Sequence, residues 1–138
     1  MRPLKRWLVS GSIVAALVVA AALARRYADD AARPGPIRGL LVPNLSATAA
    51  AGQQAFAERC AACHGPDGAG TVVGPPLVHP IYRQAHHADI TFTLAVRRGV
   101  VAHHWGFGDM PPQPTVTERE VLTITQYMRE VQAANGID

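Results

Sequence analysis

Cys60-Ala61-Ala62-Cys63-His64 decides how this chain is read. The sequence holds only two cysteines, and both fall in this one stretch with a histidine directly after the second. Two thiols three positions apart can each add to one vinyl group of a haem, and the adjacent imidazole then lies beneath the iron as an axial ligand. Each rival reading has a specific weakness. A structural zinc site wants four ligands, and the chain offers no third cysteine. A redox dithiol belongs beside a strand-helix-strand pattern, whereas the residues before Cys60 are rich in Ala and Gln and read as helix. A short disulfide between Cys60 and Cys63 leaves His64 without a role.

Outward from the motif toward the N-terminus, Arg2, Lys5 and Arg6 precede an uncharged run over residues 7–24, closed by Arg25 and Arg26. As a helix that run spans about 27 Å, near the lower end for crossing a bilayer. Residues 1–26 therefore read as a signal sequence or an uncleaved transmembrane anchor. Ala22-Leu23-Ala24 has the form of a cleavage site, but the run is long for a signal-peptide core, which favours the anchor. Either way the basic front holds the N-terminus in the cytoplasm and sends the rest across. Eight Arg and all ten acidic residues follow position 26, so that portion carries 8 − 10 = −2. The basic balance of the whole chain belongs to the targeting segment, and no nucleic-acid surface is expected.

Residues 27–46 read as a Pro/Gly-containing linker, because Arg33-Pro34-Gly35-Pro36 and Pro43-Asn44 cannot sustain a helix. That leaves 47–138 for one small domain, to which a bound haem would add apolar mass. Three helices are expected there. The first runs from about Thr48 to Cys60 and places Gly52 and Phe56 on one face. The second follows Asp89 as N-cap and ends before Gly99. The third opens on the capping box Thr117-Glu118-Arg119-Glu120 and sets Val121, Ile124, Met128 and Val131 along one stripe, until Asn135-Gly136 stops it. Nothing alternates with period two, so the fold class is all-α.

A haem iron bound through His64 needs a ligand on its other face. Met1 is the initiator, and Met128 sits on the apolar stripe of the last helix, where packing is its task. Met110 lies in Gly108-Asp109-Met110-Pro111-Pro112, a loop stiffened by two prolines directly after the sulfur, and is the expected sixth ligand. Five further histidines occur as His79, the pair His86-His87 and the pair His103-His104; ligation by His103 or His104 in place of Met110 is the alternative. Trp105 and Phe107 are expected to wall the haem crevice, with the Trp105 indole N–H available to a haem propionate.

With these residues in place, the chain resembles the small, membrane-tethered, monohaem class I cytochromes c of bacteria over about residues 50–138. The matching motifs are the C-A-A-C-H stretch, Gly74-Pro75-Pro76-Leu77, Gly108-Asp109-Met110-Pro111-Pro112 and the aromatic-bearing final helix. The resemblance implies a fold of three or more helices around one covalent haem c, with Gly52 and Phe56 packed against Tyr127. It also implies that the Pro75 carbonyl orients His64 through the free ring nitrogen.

A six-coordinate haem suits electron transfer, and burial with a neutral sulfur ligand raises its reduction potential. The expected function is an electron carrier rather than an enzyme: a periplasmic haem domain, monomeric, anchored to the inner membrane or soluble after cleavage, exchanging single electrons with periplasmic or membrane redox proteins. Two alternatives stand beside it. One is a haem subunit feeding a larger oxidoreductase; the other is a haem catalyst or gas sensor whose distal position is open.

Overall fold

The computed structural model describes residues 3–31 and 33–137, with side chains described for residues 13–26, 28 and 33–137. The chain divides into two units, Met1–Ala32 and Arg33–Asp138. The first contains a single helix, α1 (Pro3–Ala31). Its described apolar side chains, among them Val14, Leu17, Val18 and Leu23, are exposed. Among the described residues no helix is long and apolar enough to cross a membrane. Part of the expected span, residues 7–12, lies outside the residues whose side chains are described.

The second unit is all-helical. Its elements are α2 (Ala47–Arg59), α3 (Ala61–His64), α4 (Ile90–Arg98) and α5 (Glu118–Ala134), with short 3-10 turns at Pro66–Gly68 and Pro80–Tyr82. Ser46 caps α2, its hydroxyl accepting the Ala49 N–H at 3.2 Å while donating to Glu130 on α5 at 2.6 Å. Both arms of the expected Thr117 capping box are formed. Asp89, expected as the cap of the second helix, does not cap. Its backbone is already helical, and its carboxylate accepts from Arg129 Nε at 2.8 Å instead.

The core lies where α2 crosses α5. Phe56, Val121, Ile124, Tyr127, Met128 and Val131 are buried there, each large apolar side chain removed from water being worth about 1.5–3 kcal/mol. The two helices approach closely because Gly52 has no side chain: a Cβ at that position would fall 1.9 Å from the Thr123 carbonyl oxygen. Phe56 and Tyr127 then meet at 5.8 Å between centroids with rings tilted by 60°.

Residues 33–45 carry no helix, as their prolines require, yet they are docked rather than free. Ile37 donates its N–H to Ala69 at 2.8 Å, and the Asn135 side chain holds both backbone groups of Leu41, at 3.0 and 2.8 Å. Leu40, Val42 and Leu45 lean on the core. At the front of the expected linker 27–46, α1 itself continues to Ala31.

Candidate functional site

The two cysteines sit at a helix break. Cys60 ends α2 with a non-helical backbone (φ −121°, ψ −33°), and α3 restarts one residue later and carries Cys63 and His64. The break brings a half-buried thiol and an exposed thiol beside the same half-buried imidazole, and both thiols are free. Burial, followed by the neighbouring Cys63 and Glu120, pushes the Cys60 thiol up to about 11. A dithiol built for exchange needs a depressed thiol, so this cysteine is poorly placed for redox chemistry of its own.

The ring of His64 is fixed from behind. Its Nδ1 lies 3.0 Å from the carbonyl oxygen of Pro75, so Nδ1 carries the proton and Nε2 keeps a free lone pair. Burial pushes the imidazole below its ordinary range, although the bond to Pro75 opposes this. A neutral ring with Nε2 free is the state an iron ligand requires. The Pro75 carbonyl is itself held in place by its loop. Thr71 Oγ donates to the Cys63 carbonyl and takes the N–H groups of Val73 and Gly74, while Leu77 N–H donates to Gly68 at 2.7 Å.

Met110 is half-buried and pairs through its backbone with Val100, each N–H reaching the other's carbonyl at 2.9 Å. This is the only extended pairing among the described residues. Gly99 permits it, with φ +73° and so little room that a Cβ would stand 2.4 Å from the Met110 carbonyl oxygen. Met128, by contrast, is fully buried in the α2–α5 core. Trp105 is half-buried, and its indole N–H donates to the Tyr82 hydroxyl at 3.1 Å. Arg97 and Arg98 are exposed at the end of α4.

Sequence reading passed over three residues that hold this region. Arg129 reaches from α5 to the loop, giving Nη1 to the Tyr82 carbonyl at 2.8 Å, Nη2 to the His87 carbonyl and Nε to Asp89. Gln132, buried one turn along, donates to the Leu77 carbonyl at 2.8 Å. Asp67 accepts from the Tyr127 hydroxyl. For Arg129 and Gln132 the one signal was a polar residue on or beside an otherwise apolar helical stripe; Asp67, in the turn Pro66–Gly68, carried none.

The residues present suit a covalently held haem: two free thiols, a neutral imidazole locked at Nδ1, and a thioether in a separate loop. The family model for cytochrome c matches residues 49–132. A Cbb3-type cytochrome c oxidase subunit CcoP of Rhodobacter capsulatus is 33% identical over 92 residues, which cover 64% of this chain and 31% of that protein. A second protein of the same name, also from Rhodobacter capsulatus, is 34% identical over 86 residues, covering 60% of this chain and 29% of its own length. The chain thus spans under a third of the length of these curated relatives. No solved structure matches it.

Proposed function

The chain belongs to the cytochrome c family and carries a covalent haem c, and from that premise we propose an electron carrier in which His64 and Met110 would bind the haem iron. Cys60 and Cys63 hold the porphyrin by thioether bonds, and the haem when bound supplies a one-electron couple. The residues of this chain do the rest. The Pro75 carbonyl keeps the His64 proton on Nδ1, which strengthens the ring as a donor at Nε2. An apolar surround that excluded water would disfavour the more charged oxidised state and raise the potential. The single observation behind the reading is the locked, neutral His64 ring beside two free thiols.

The relatives are oxidase subunits by name, and this favours a second reading in which the carrier passes electrons into a membrane oxidoreductase complex. Delivery from the periplasmic side, by a domain anchored through the N-terminal helix, belongs to the same proposal.

Replacing Met110 with Ala tests the ligand assignment. Haem content should persist, because Cys60, Cys63 and His64 are intact. The charge-transfer band of thioether-bound ferric haem should vanish and the potential should fall, since a neutral thioether favours ferrous iron and the water or histidine that replaces it stabilises the ferric state. Retention of that band in Met110→Ala would remove Met110 from the site. Rapid carbon monoxide binding by the unaltered protein would favour an open-sited catalyst or sensor.

A further inference from the structure

Four imidazoles from two loop segments converge outside the residues assigned to haem. His86 and His87 follow the 3-10 turn Pro80–Tyr82, and His103 and His104 follow Val100, the partner of Met110 in the backbone pairing. Ring centroids are 4.7 Å apart for His86 and His87, 5.6 Å for His86 and His104, 5.2 Å for His87 and His104, and 4.1 Å for His103 and His104. One ring nitrogen from each of His86, His87 and His104 lies within 4.8 Å of the other two.

Ring packing alone leaves two features unexplained. His104 Nε2 is buried and has no hydrogen-bond partner, and it is the only such buried side-chain nitrogen or oxygen among the described residues. A buried polar atom of this kind is normally satisfied by a protein group, water or an ion. His87 is also oriented in advance: its Nδ1 donates to the Ile81 carbonyl at 2.7 Å, leaving the Nε2 lone pair free. A backbone carbonyl on the far nitrogen is the support that metal-ligating histidines generally have.

We propose that His86, His87 and His104 bind a divalent late transition ion, zinc being the reference ion, with water completing the coordination. Imidazoles suit zinc, copper and nickel, and the absence of a carboxylate from this triad disfavours magnesium and calcium. Nitrogens bound at about 2.0–2.1 Å on a tetrahedral ion stand roughly 3.3 Å apart, so binding must draw the triad inward by about 1.5 Å at most. Both segments are loops and can make that adjustment. Two cations lie near: Arg129, which donates to the His87 carbonyl, and Arg83, whose guanidinium donates to Pro80 at 3.2 Å. Arg129 is neutralised by Asp89 at 2.8 Å. The ion would tie residues 86–87 to the loop that leads to Met110, along the line already bridged by Trp105 and Tyr82.

Calorimetric titration of zinc chloride into the tag-free, haem-loaded full chain at neutral pH tests this. One zinc should bind per chain, and the melting temperature should rise with zinc concentration. His87→Gln and His104→Gln should each weaken binding beyond the roughly 10–100-fold that loss of an orienting partner alone costs. His103→Gln, outside the triad, should retain the one-to-one binding. Absence of saturable zinc binding, or one-to-one binding that survives the His87→Gln/His104→Gln double variant, would overturn the proposal. Loss of the native haem spectrum in His104→Gln would overturn it too, by making that ring an iron ligand. None of these outcomes depends on Met110, whose own test is the charge-transfer band.

Discussion

The α2–α5 crossing and the loops over residues 65–116 belong to one unit but are held by different forces. At the crossing, Gly52 admits the partner backbone and Phe56, Tyr127, Met128 and Val131 fill the contact, so stability comes from apolar area and close packing. In the loops few large apolar side chains are buried. Order there comes from backbone carbonyls gathered by Thr71, Arg129 and Gln132, and from the single Val100–Met110 pairing. A region of the first kind can fold without a cofactor. A region of the second kind is completed by one, because the haem would tie Met110 to the covalent anchor at Cys60 and Cys63.

The largest expected effect follows from that dependence. Cys60→Ser with Cys63→Ser removes both thioether bonds, so no covalent haem should remain by mass and haem stain. The loops should then lose amide-exchange protection far more than α2 and α5 do. Equal loss in both regions would break the distinction and make the haem part of the common core.

Next come the two described methionines, one for each region. Met128→Ala truncates a fully buried side chain and should cost about 2–5 kcal/mol by urea unfolding while leaving the haem spectrum unchanged. Met110→Ala should do the reverse, altering the spectrum at little structural cost. If Met128 governs the spectrum and Met110 is silent, the ligand belongs to the last helix and the loop region has been misread.

Arg129→Met probes how the loops are attached to the core. The substitution keeps the apolar stem but strips donors from the Tyr82 and His87 carbonyls and from Asp89. Unpaired acceptors left behind cost about 1–3 kcal/mol in buried settings, and part of that is recovered here by water. The urea midpoint should drop, and exchange should quicken first over residues 77–89.

The same division explains what could be read from sequence. The Thr117 capping box, the apolar stripe from Val121 to Val131 and the Gly52–Phe56 face were legible because helix periodicity and capping act between residues a few positions apart. The C-A-A-C-H motif was legible because its chemistry is local. Arg129 was not, since the loop partners it holds lie 40 to 47 positions away and nothing near it in sequence marks them. Asp89 has the right residue type for a cap, but Arg129 competes for its carboxylate and wins. Residues 33–45 looked like a free linker because prolines forbid a helix there. Their docking depends on Ala69 and Asn135, which only the folded chain brings near.

The smallest effect concerns the capping box that opens α5, where helix and loops meet. Glu120 accepts from Thr117 N–H at 2.7 Å and from the Thr117 hydroxyl at 2.8 Å, and the backbone bond foremost holds its carboxyl below the usual range. In return the Thr117 hydroxyl oxygen accepts the Glu120 N–H at 3.2 Å. Thr117→Ala should therefore cost about 1 kcal/mol near neutral pH. A carboxyl depressed by folding contributes stability that is present above its unfolded value, near 4.5 here, and is lost as pH falls through the folded value. Once Glu120 is protonated, the hydroxyl bond to its carboxyl loses its charge assistance and weakens, whereas the hydroxyl oxygen still caps the Glu120 N–H. The gap in urea midpoint between the two proteins should accordingly narrow from pH 7 to about pH 3 without closing. A gap that stays constant would assign the whole effect to the cap oxygen and leave the carboxylate without a part in it.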